Sequence, residues 1–336
     1  MSALPEEMRA VLEGAARVAL RAPSVFNTQP WRWTIGAGVM ELSADPERRV
    51  PAIDPDRRLM LMSCGGALHH ALTGLAAAGW PATVTRFPAG DGDVLARVRL
   101  DEAGPVTPDP AARALVEAIA RRRTDRRAFG DRAVDEETLS DLRRVVEAHG
   151  AYLHVVPHDQ VPMLGILVEQ AADAEYLDPA YRKDLTRWTN RPAWTGDGVP
   201  PATAVAPALR RVPVREFAPQ GGEVLAAGQD HDQGAAYTIL YGMDAEPADL
   251  LRAGEAMSAL LLTATARGLS TAPLSEAVEV SWSKYLLGEL LSGIGEPYLV
   301  VRLGYVDEAE SLPATPRRTA NEVITFRSSA DKPAQP

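Results

Sequence analysis

The hydrophobic positions of this chain change period from segment to segment, and the changes mark its elements. Over residues 6–20, Met8, Val11, Leu12, Ala15, Val18 and Ala19 recur at the spacing of an amphipathic helix. Pro23 stops it, because the residue before a proline is pushed out of helical backbone. Residues 31–35 and 39–42 alternate on either side of a G-A-G turn and predict a hairpin. Residues 59–80 are apolar almost all round, the mark of a buried central helix. Two more alternating stretches, 81–87 and 94–100, read as strands. Helical spacing returns over 108–122, 135–149 and 161–174, with a strand over 152–156 between the last two. From 176 to about 234 the periodicity dissolves among tryptophans, prolines and glycines. So long an aperiodic stretch in a compact domain is a lid, an insertion or a mobile linker. Trp188 and Trp194 favour a lid that packs down. A strand over 235–241, a second apolar helix over 249–268, a turn at 269–275, a helix over 281–291 and a buried strand over 297–305 follow. The chain closes with an extended arm, 306–327, and a polar tail, 328–336, read as disordered.

The two apolar helices echo each other. G-A-L-H-H-A-L-T-G-L-A-A-A-G-W, ending at Trp80, and E-A-M-S-A-L-L-L-T-A-T-A-R-G-L, ending at Leu269, share a rhythm of small and large residues. Each finishes on a glycine placed to stop the helix in left-handed backbone. Two such helices, each with its own strands, predict an α+β fold of two pseudo-twofold-related halves. Each half is a mostly antiparallel sheet flanked by helices around the long buried pair. The expected division is 1–105 for the first half and 106–327 for the second, which carries the lid over 176–234. Such a chain resembles a fused dimer, present as a monomer or a further homodimer.

Composition narrows the function classes. Of 336 residues, 46% are hydrophobic, enough for a sizeable core, and the net charge of −10 argues against a general binder of nucleic acid or anionic membrane. The single cysteine, Cys64, excludes an internal disulfide framework and fits a reducing cytoplasm. It lies in an apolar helical run, where inert packing is expected. The N-terminus lacks the basic and apolar regions of a signal peptide, and no run of about 18 uninterrupted apolar residues predicts a membrane span. His69-His70 and the pair His154 and His158 do not make a metal site by spacing. No dinucleotide-binding glycine fingerprint, phosphate-binding loop, nucleophile elbow or zinc helix motif occurs.

Against this acidic background one stretch stands out. R-R-R-T-D-R-R-A-F, residues 121–129, sets five arginines against one aspartate, a local charge of +4. It falls at the end of a predicted helix and in the connection after it. Guanidinium forks beside a threonine hydroxyl suit a phosphate; the alternative is a solvated basic face. A second stretch, P-S-V-F-N-T-Q-P-W from Pro23 to Trp31, is a proline-stiffened loop displaying amides. Trp31 and Trp33 are expected in the core.

Together with G-L-S-T-A-P-L-S, residues 268–275, and P-R-R, residues 316–318, these stretches carry a family likeness. The chain resembles the FMN-dependent nitroreductase superfamily, and within it the actinobacterial Acg-like branch, in which one chain holds two nitroreductase-like halves. The resemblance implies that Arg122, Arg126 and Thr124 meet the FMN phosphate, with Arg123 beside them. It implies flavin-edge roles for Ser24, Asn27 and Gln29, and contacts of Pro273, Leu274 and Ser275 with the ring near N5 and O4. Either Arg317 or Arg318 is implied to close on the phosphate. The motif order departs from that of a single nitroreductase, since the amide loop precedes the arginine motif by about a hundred residues; a fused pair of halves, each giving part of one site, accounts for it.

FMN carries its own redox chemistry, so no catalytic side chain is required. The resemblance therefore implies a reductase that takes electrons from NAD(P)H and reduces nitroaromatics, quinones or another flat aromatic acceptor in a ping-pong cycle through the flavin. The alternative it implies is a protein that sequesters FMN under a closed lid and catalyses little. Trp188, Arg191 and Trp194 either cover the flavin or pin the lid to the body.

Overall fold

The computed structural model describes residues 3–90, 92–189, 191–217, 224–228, 231–306 and 312–327. The tail expected to be disordered, and short pieces of the expected lid and arm, lie outside the described residues. The chain is α+β. Its helices are α1 (Ala3–Ala19), α2 (Arg58–Ala77), α3 (Pro110–Arg121), α4 (Glu136–Glu147), α5 (Val161–Leu177), α6 (Pro179–Trp188), α7 (Pro247–Ala266), α8 (Glu276–Glu279), α9 (Ser281–Leu290) and α10 (Ala320–Val323). Its strands are β1 (Trp31–Ile35), β2 (Val39–Ala44), β3 (Ala82–Arg86), β4 (Val94–Leu100), β5 (Tyr152–Val155), β6 (Ala236–Gly242), β7 (Ser270–Leu274), β8 (Glu296–Gly304) and β9 (Ile324–Phe326).

They form two sheets, in the orders β3-β4-β2-β1-β9 and β5-β6-β8-β7. The second sheet is antiparallel throughout, and in the first only β9 runs parallel to its neighbour, β1. The C-terminal arm therefore ends in the sheet built by the start of the chain.

Between the sheets α2 packs on α7, and glycine makes the close approach possible. A Cβ on Gly65 would stand 2.0 Å from the Leu251 carbonyl oxygen, and one on Gly254 would stand 2.0 Å from that of Met62. Both helices stop as their sequences predict, with φ of +77° at Gly79 and +81° at Gly268. By length and composition α2 is apolar enough to cross a membrane, but it is wrapped here by α1, α3 and α7. Trp31 and Trp33 are fully buried in the same core, and Cys64 gives its thiol to the Pro30 carbonyl.

Two local expectations are corrected. The aperiodic stretch after 176 contains α6, started by Asp178, whose carboxylate accepts from the Ala180 N–H, with Pro179 at the first helical position. Only Tyr181 and Trp188 of α6 are buried, so its sequence shows little apolar period. The expected turn at 269–275 is instead β7, with α8 directly after it. Its proline is tolerated because β7 is the last strand of its sheet.

Candidate functional site

The arginine motif is folded against β7. Thr124 forms a parallel bridge with Thr271, and the Asp125 N–H donates to the Thr271 carbonyl at 2.9 Å. That places R-R-T beside A-P-L-S. From β8, the fully buried Arg302 donates to the carbonyls of Asp125 and Arg127, at 2.9 and 2.8 Å. Its other amino group holds both carboxylate oxygens of Asp232 at 2.8 Å, and its guanidinium lies 4.0 Å over the Phe129 ring. Neither Arg302 nor Asp232 was singled out in the sequence; an arginine inside the apolar run P-Y-L-V-V-R-L-G-Y was the available signal.

The amide loop is held in strained backbone. Phe26, Asn27 and Gln29 have φ of +45°, +54° and +51°, which side chains other than glycine rarely adopt. Ser24 Oγ accepts from the Gln29 N–H at 2.9 Å, and Ser63 Oγ from that of Val25 at 3.2 Å. The amides are spent on the protein. Asn27 Nδ2 donates to the carbonyls of Gly198 and Pro316, both at 3.0 Å, and its Oδ1 accepts from Arg317. Gln29 Nε2 donates to Gly196 O at 2.8 Å, and its Oε1 accepts from the Arg318 N–H at 2.9 Å. The two side chains tie the segment around 196–198 and the arm around 316–318 to the loop.

Loop, motif and arm enclose a cavity with about 1,030 Å³ of space, open solvent included. Of the residues singled out by sequence, Ser24, Asn27, Arg122, Arg123, Thr124, Arg126, Pro273, Ser275 and Arg317 line it. Gln29, Leu274 and Arg318 do not. Leu59, Met62, Met257 and Leu299 supply an apolar wall. From the expected lid come Val199, Thr203, Phe217 and Leu225, and from the arm Leu312, Pro313 and Thr315.

Trp188, Arg191 and Trp194 are not among the lining residues. Trp188 is buried in a side cluster with Phe26, Tyr181 and Phe217. Arg191 donates to Asp197 at 2.6 Å, and Arg48 holds the same carboxylate at 2.9 Å, which pins the segment to the body. Trp194 is 86% exposed.

The arginines divide into two groups. Arg122 is buried, and neither its Nε nor its Nη1 has a hydrogen-bond partner among the described residues. The Nε atoms of Arg123 and Arg317 are also unpartnered. Burial, and then the charge of Arg123, push Arg122 down to about 10. Burial, followed by Arg122, Arg123 and Arg21, pushes Arg317 down to about 9. Arg126 keeps different company. It donates to the Thr203 carbonyl at 3.0 Å and stacks 4.2 Å from the Phe217 ring centroid. Burial pushes it down to about 10 as well, while Glu276, Arg215, Asp125 and Arg302 are its charged neighbours. The cavity thus has a repulsive cluster of cations at one place and a separate guanidinium, held by Thr203 and Phe217, at another.

No protein-family model matches the chain. Among curated proteins it is 37% identical over 334 residues to "Putative NAD(P)H nitroreductase Rv3131" of Mycobacterium tuberculosis, covering 96% of this chain and 92% of that one. It is 35% identical over 321 residues to "Putative NAD(P)H nitroreductase acg" of the same organism, covering 94% and 96%. A third relative there, "Uncharacterized protein Rv3127", is 34% identical over 335 residues, covering 96% and 95%. Among solved structures, the FMN-dependent nitroreductase NfnB from Mycobacterium smegmatis in complex with NADPH covers 65% of this chain and all of its own at 17% identity and a TM-score of 0.41, too distant to argue from. The relatives are matched over nearly their whole length, and on that footing the chain belongs to the Acg-like family of nitroreductase-related proteins.

Proposed function

We propose that this cavity binds FMN and that the protein is an NAD(P)H-dependent oxidoreductase acting on flat acceptors such as nitroaromatics or quinones. The observation that carries the reading is Arg122, a buried guanidinium that lines the cavity beside Arg123 and Arg317 and whose Nε and Nη1 have no hydrogen-bond partner among the described residues. A buried charge left unpaired is costly, and a phosphate dianion is the partner that its fork geometry suits. The names of the relatives point to the same nicotinamide-dependent class.

When bound, FMN supplies the redox chemistry, accepting electrons from a nicotinamide and passing them to the acceptor. The chain's part is to bind and orient. Arg122, Arg123, Arg317 and the Thr124 hydroxyl hold the phosphate. Arg126, outside that cluster, serves the polar edge of the ring, where a fixed cation favours added negative charge. The strand end at Pro273 to Ser275 presents backbone to the ring, and Ser24 marks its other border. Asn27 acts as the knot joining loop, lid and arm, a different role from the flavin-edge contact that the family likeness implied. No side chain is assigned as a catalytic acid or base. The two halves, 1–105 and 106–327, are read as sharing this one site.

A second reading, sequestration of FMN with little turnover, is favoured by one observation: Val199, Phe217 and Leu225 of the expected lid form part of the cavity wall. Mixing the purified yellow protein with NADH or NADPH without oxygen separates the two. Rapid bleaching of the flavin absorbance supports the reductase. Persistent colour over minutes supports the store.

A further inference from the structure

A second cavity adjoins the first on the far side of the cation cluster. It encloses about 890 Å³, open solvent included, and shares Arg122, Arg123 and Arg317 with the first. To these it adds Arg17, Arg21 and Arg318, and among the described residues no carboxylate lines it.

Two of the added arginines are already paired. Arg17 meets Glu13 at 2.7 Å, and Arg318 lies 3.5 Å from Asp45 while donating to the Gln29 and Glu322 carbonyls. Arg21, Arg122, Arg123 and Arg317 form no ion pair among the described residues. Their mutual repulsion is visible in Arg317, which Arg122, Arg123 and Arg21 all help to push down. One phosphate monoester brings a charge of about −1.5 to −2. Four unpaired guanidinium groups therefore leave about two positive charges unmatched after a single FMN phosphate is seated. Arg21, which is exposed, lines the second cavity and not the first.

We propose that the second cavity is a binding site for a further phosphoryl dianion, next to the FMN phosphate and sharing its arginines. This rests on the reading of the first cavity as the FMN site. Two sources have that chemistry. One is the second phosphate of a pyrophosphate-linked flavin such as FAD, which would leave the first cavity through the shared arginines. The other is free pyrophosphate or phosphate bound beside FMN. The arginine fork recognises either through charge-assisted bonds.

The test uses the full chain and Arg21→Glu, with Arg21→Gln as a milder variant, and confirms first that the melting temperatures match the wild type. FMN, FAD and inorganic pyrophosphate are titrated calorimetrically into the apoprotein, and pyrophosphate also into the FMN-loaded protein. Pyrophosphate binding to the loaded protein that Arg21→Glu weakens at least tenfold, with FMN affinity changed less than threefold, supports a free-anion site. FAD binding within tenfold of FMN, and weakened at least tenfold by Arg21→Glu alone, supports the tethered source. If FMN binds but neither FAD nor pyrophosphate binds, or both bind the variants as tightly as the wild type, the proposal is overturned and the first cavity's assignment stands. If FMN does not bind, that assignment fails, and Arg21-dependent binding of pyrophosphate to the apoprotein decides the second site alone.

Discussion

Asn27 Oδ1 accepts a hydrogen bond from Arg317 Nη1 at 2.9 Å, across 290 residues of chain. The same amide donates to Gly198 and Pro316, so one side chain in strained backbone closes the loop, the 196–198 segment and the arm around the cavity. Asn27→Ala removes its bonds to Gly198, Pro316 and Arg317; the Pro316 carbonyl and Arg317 still bond each other, so the Gly198 carbonyl is the group that loses a donor outright, at a cost of about 1–3 kcal/mol if it stays buried. The expected outcome is a lower melting temperature and faster proteolytic cleavage within 176–234. Unchanged cleavage there would show that the segment is held by other means.

Arg122 yields a prediction of opposite signs. In the apoprotein it is a buried cation with no carboxylate partner among the described residues, so Arg122→Met relieves desolvation and raises the melting temperature. In the presence of saturating FMN the ranking reverses, because the wild type gains a charge-assisted bond that the variant lacks. Thermal melts of both proteins with and without FMN check it. A variant less stable in both states contradicts the claim that the guanidinium awaits a ligand.

The α2–α7 crossing admits no side chain at Gly65 or Gly254. Either glycine changed to alanine forces the helices apart, since the added Cβ would sit 2.0 Å from a backbone oxygen that cannot move alone. Overpacking of this kind costs about 1–3 kcal/mol or more. Gly14→Ala, on α1 with nothing within 4 Å of the added Cβ, is the control and should be neutral or slightly stabilising. Urea melts distinguish them.

Buried carboxylates give the protein an alkaline slope. Glu175 shares Arg215 with Glu276 and Glu279. Burial above all, and then the two neighbouring carboxylates against the opposing pull of Arg215, push Glu175 up to about 8. A carboxyl that holds its proton more tightly folded than unfolded lends stability that is full below its ordinary value of 4.5 and lost as the pH rises to about 8. Buried His69 and His70, both pushed down by burial, act in the opposite sense below the ordinary histidine value of 6.5, so the fall in melting temperature due to Glu175 should show from pH 7 to pH 8.5, and Glu175→Gln should flatten it. Parallel curves would rule out Glu175 as its source.

Much of this fold was legible in the sequence because its signals are local. Alternation marked the β1–β2 hairpin and the strands β3 and β4, and the glycines at 79 and 268 marked the helix stops. What was not legible depends on partners far along the chain. β7 reads as a turn because its proline, with Ser270 at its start and Ser275 just past its end, are turn residues, and only pairing with β8 and Thr124 makes it a strand. The amides of Asn27 and Gln29 look free in sequence, yet they bond residues 167 to 290 positions away. Likewise, spacing alone cannot show that Arg126 parts company with Arg122 four residues earlier, because the division comes from Thr203 and Phe217 of the aperiodic segment.

The most direct test of the central claim is the FMN dissociation constant of the apoprotein, followed by quenching of flavin fluorescence, for the wild type, Arg122→Ala, Arg317→Ala and Arg126→Ala. The cation cluster predicts tight binding by the wild type and losses of at least about tenfold for Arg122→Ala and for Arg317→Ala, from charge-assisted bonds of about 1.5–3 kcal/mol each. Arg126→Ala should lose less, since it lies outside the phosphate seat. A wild type that leaves FMN fluorescence unquenched, or an Arg122→Ala variant that binds FMN as the wild type does, would contradict it.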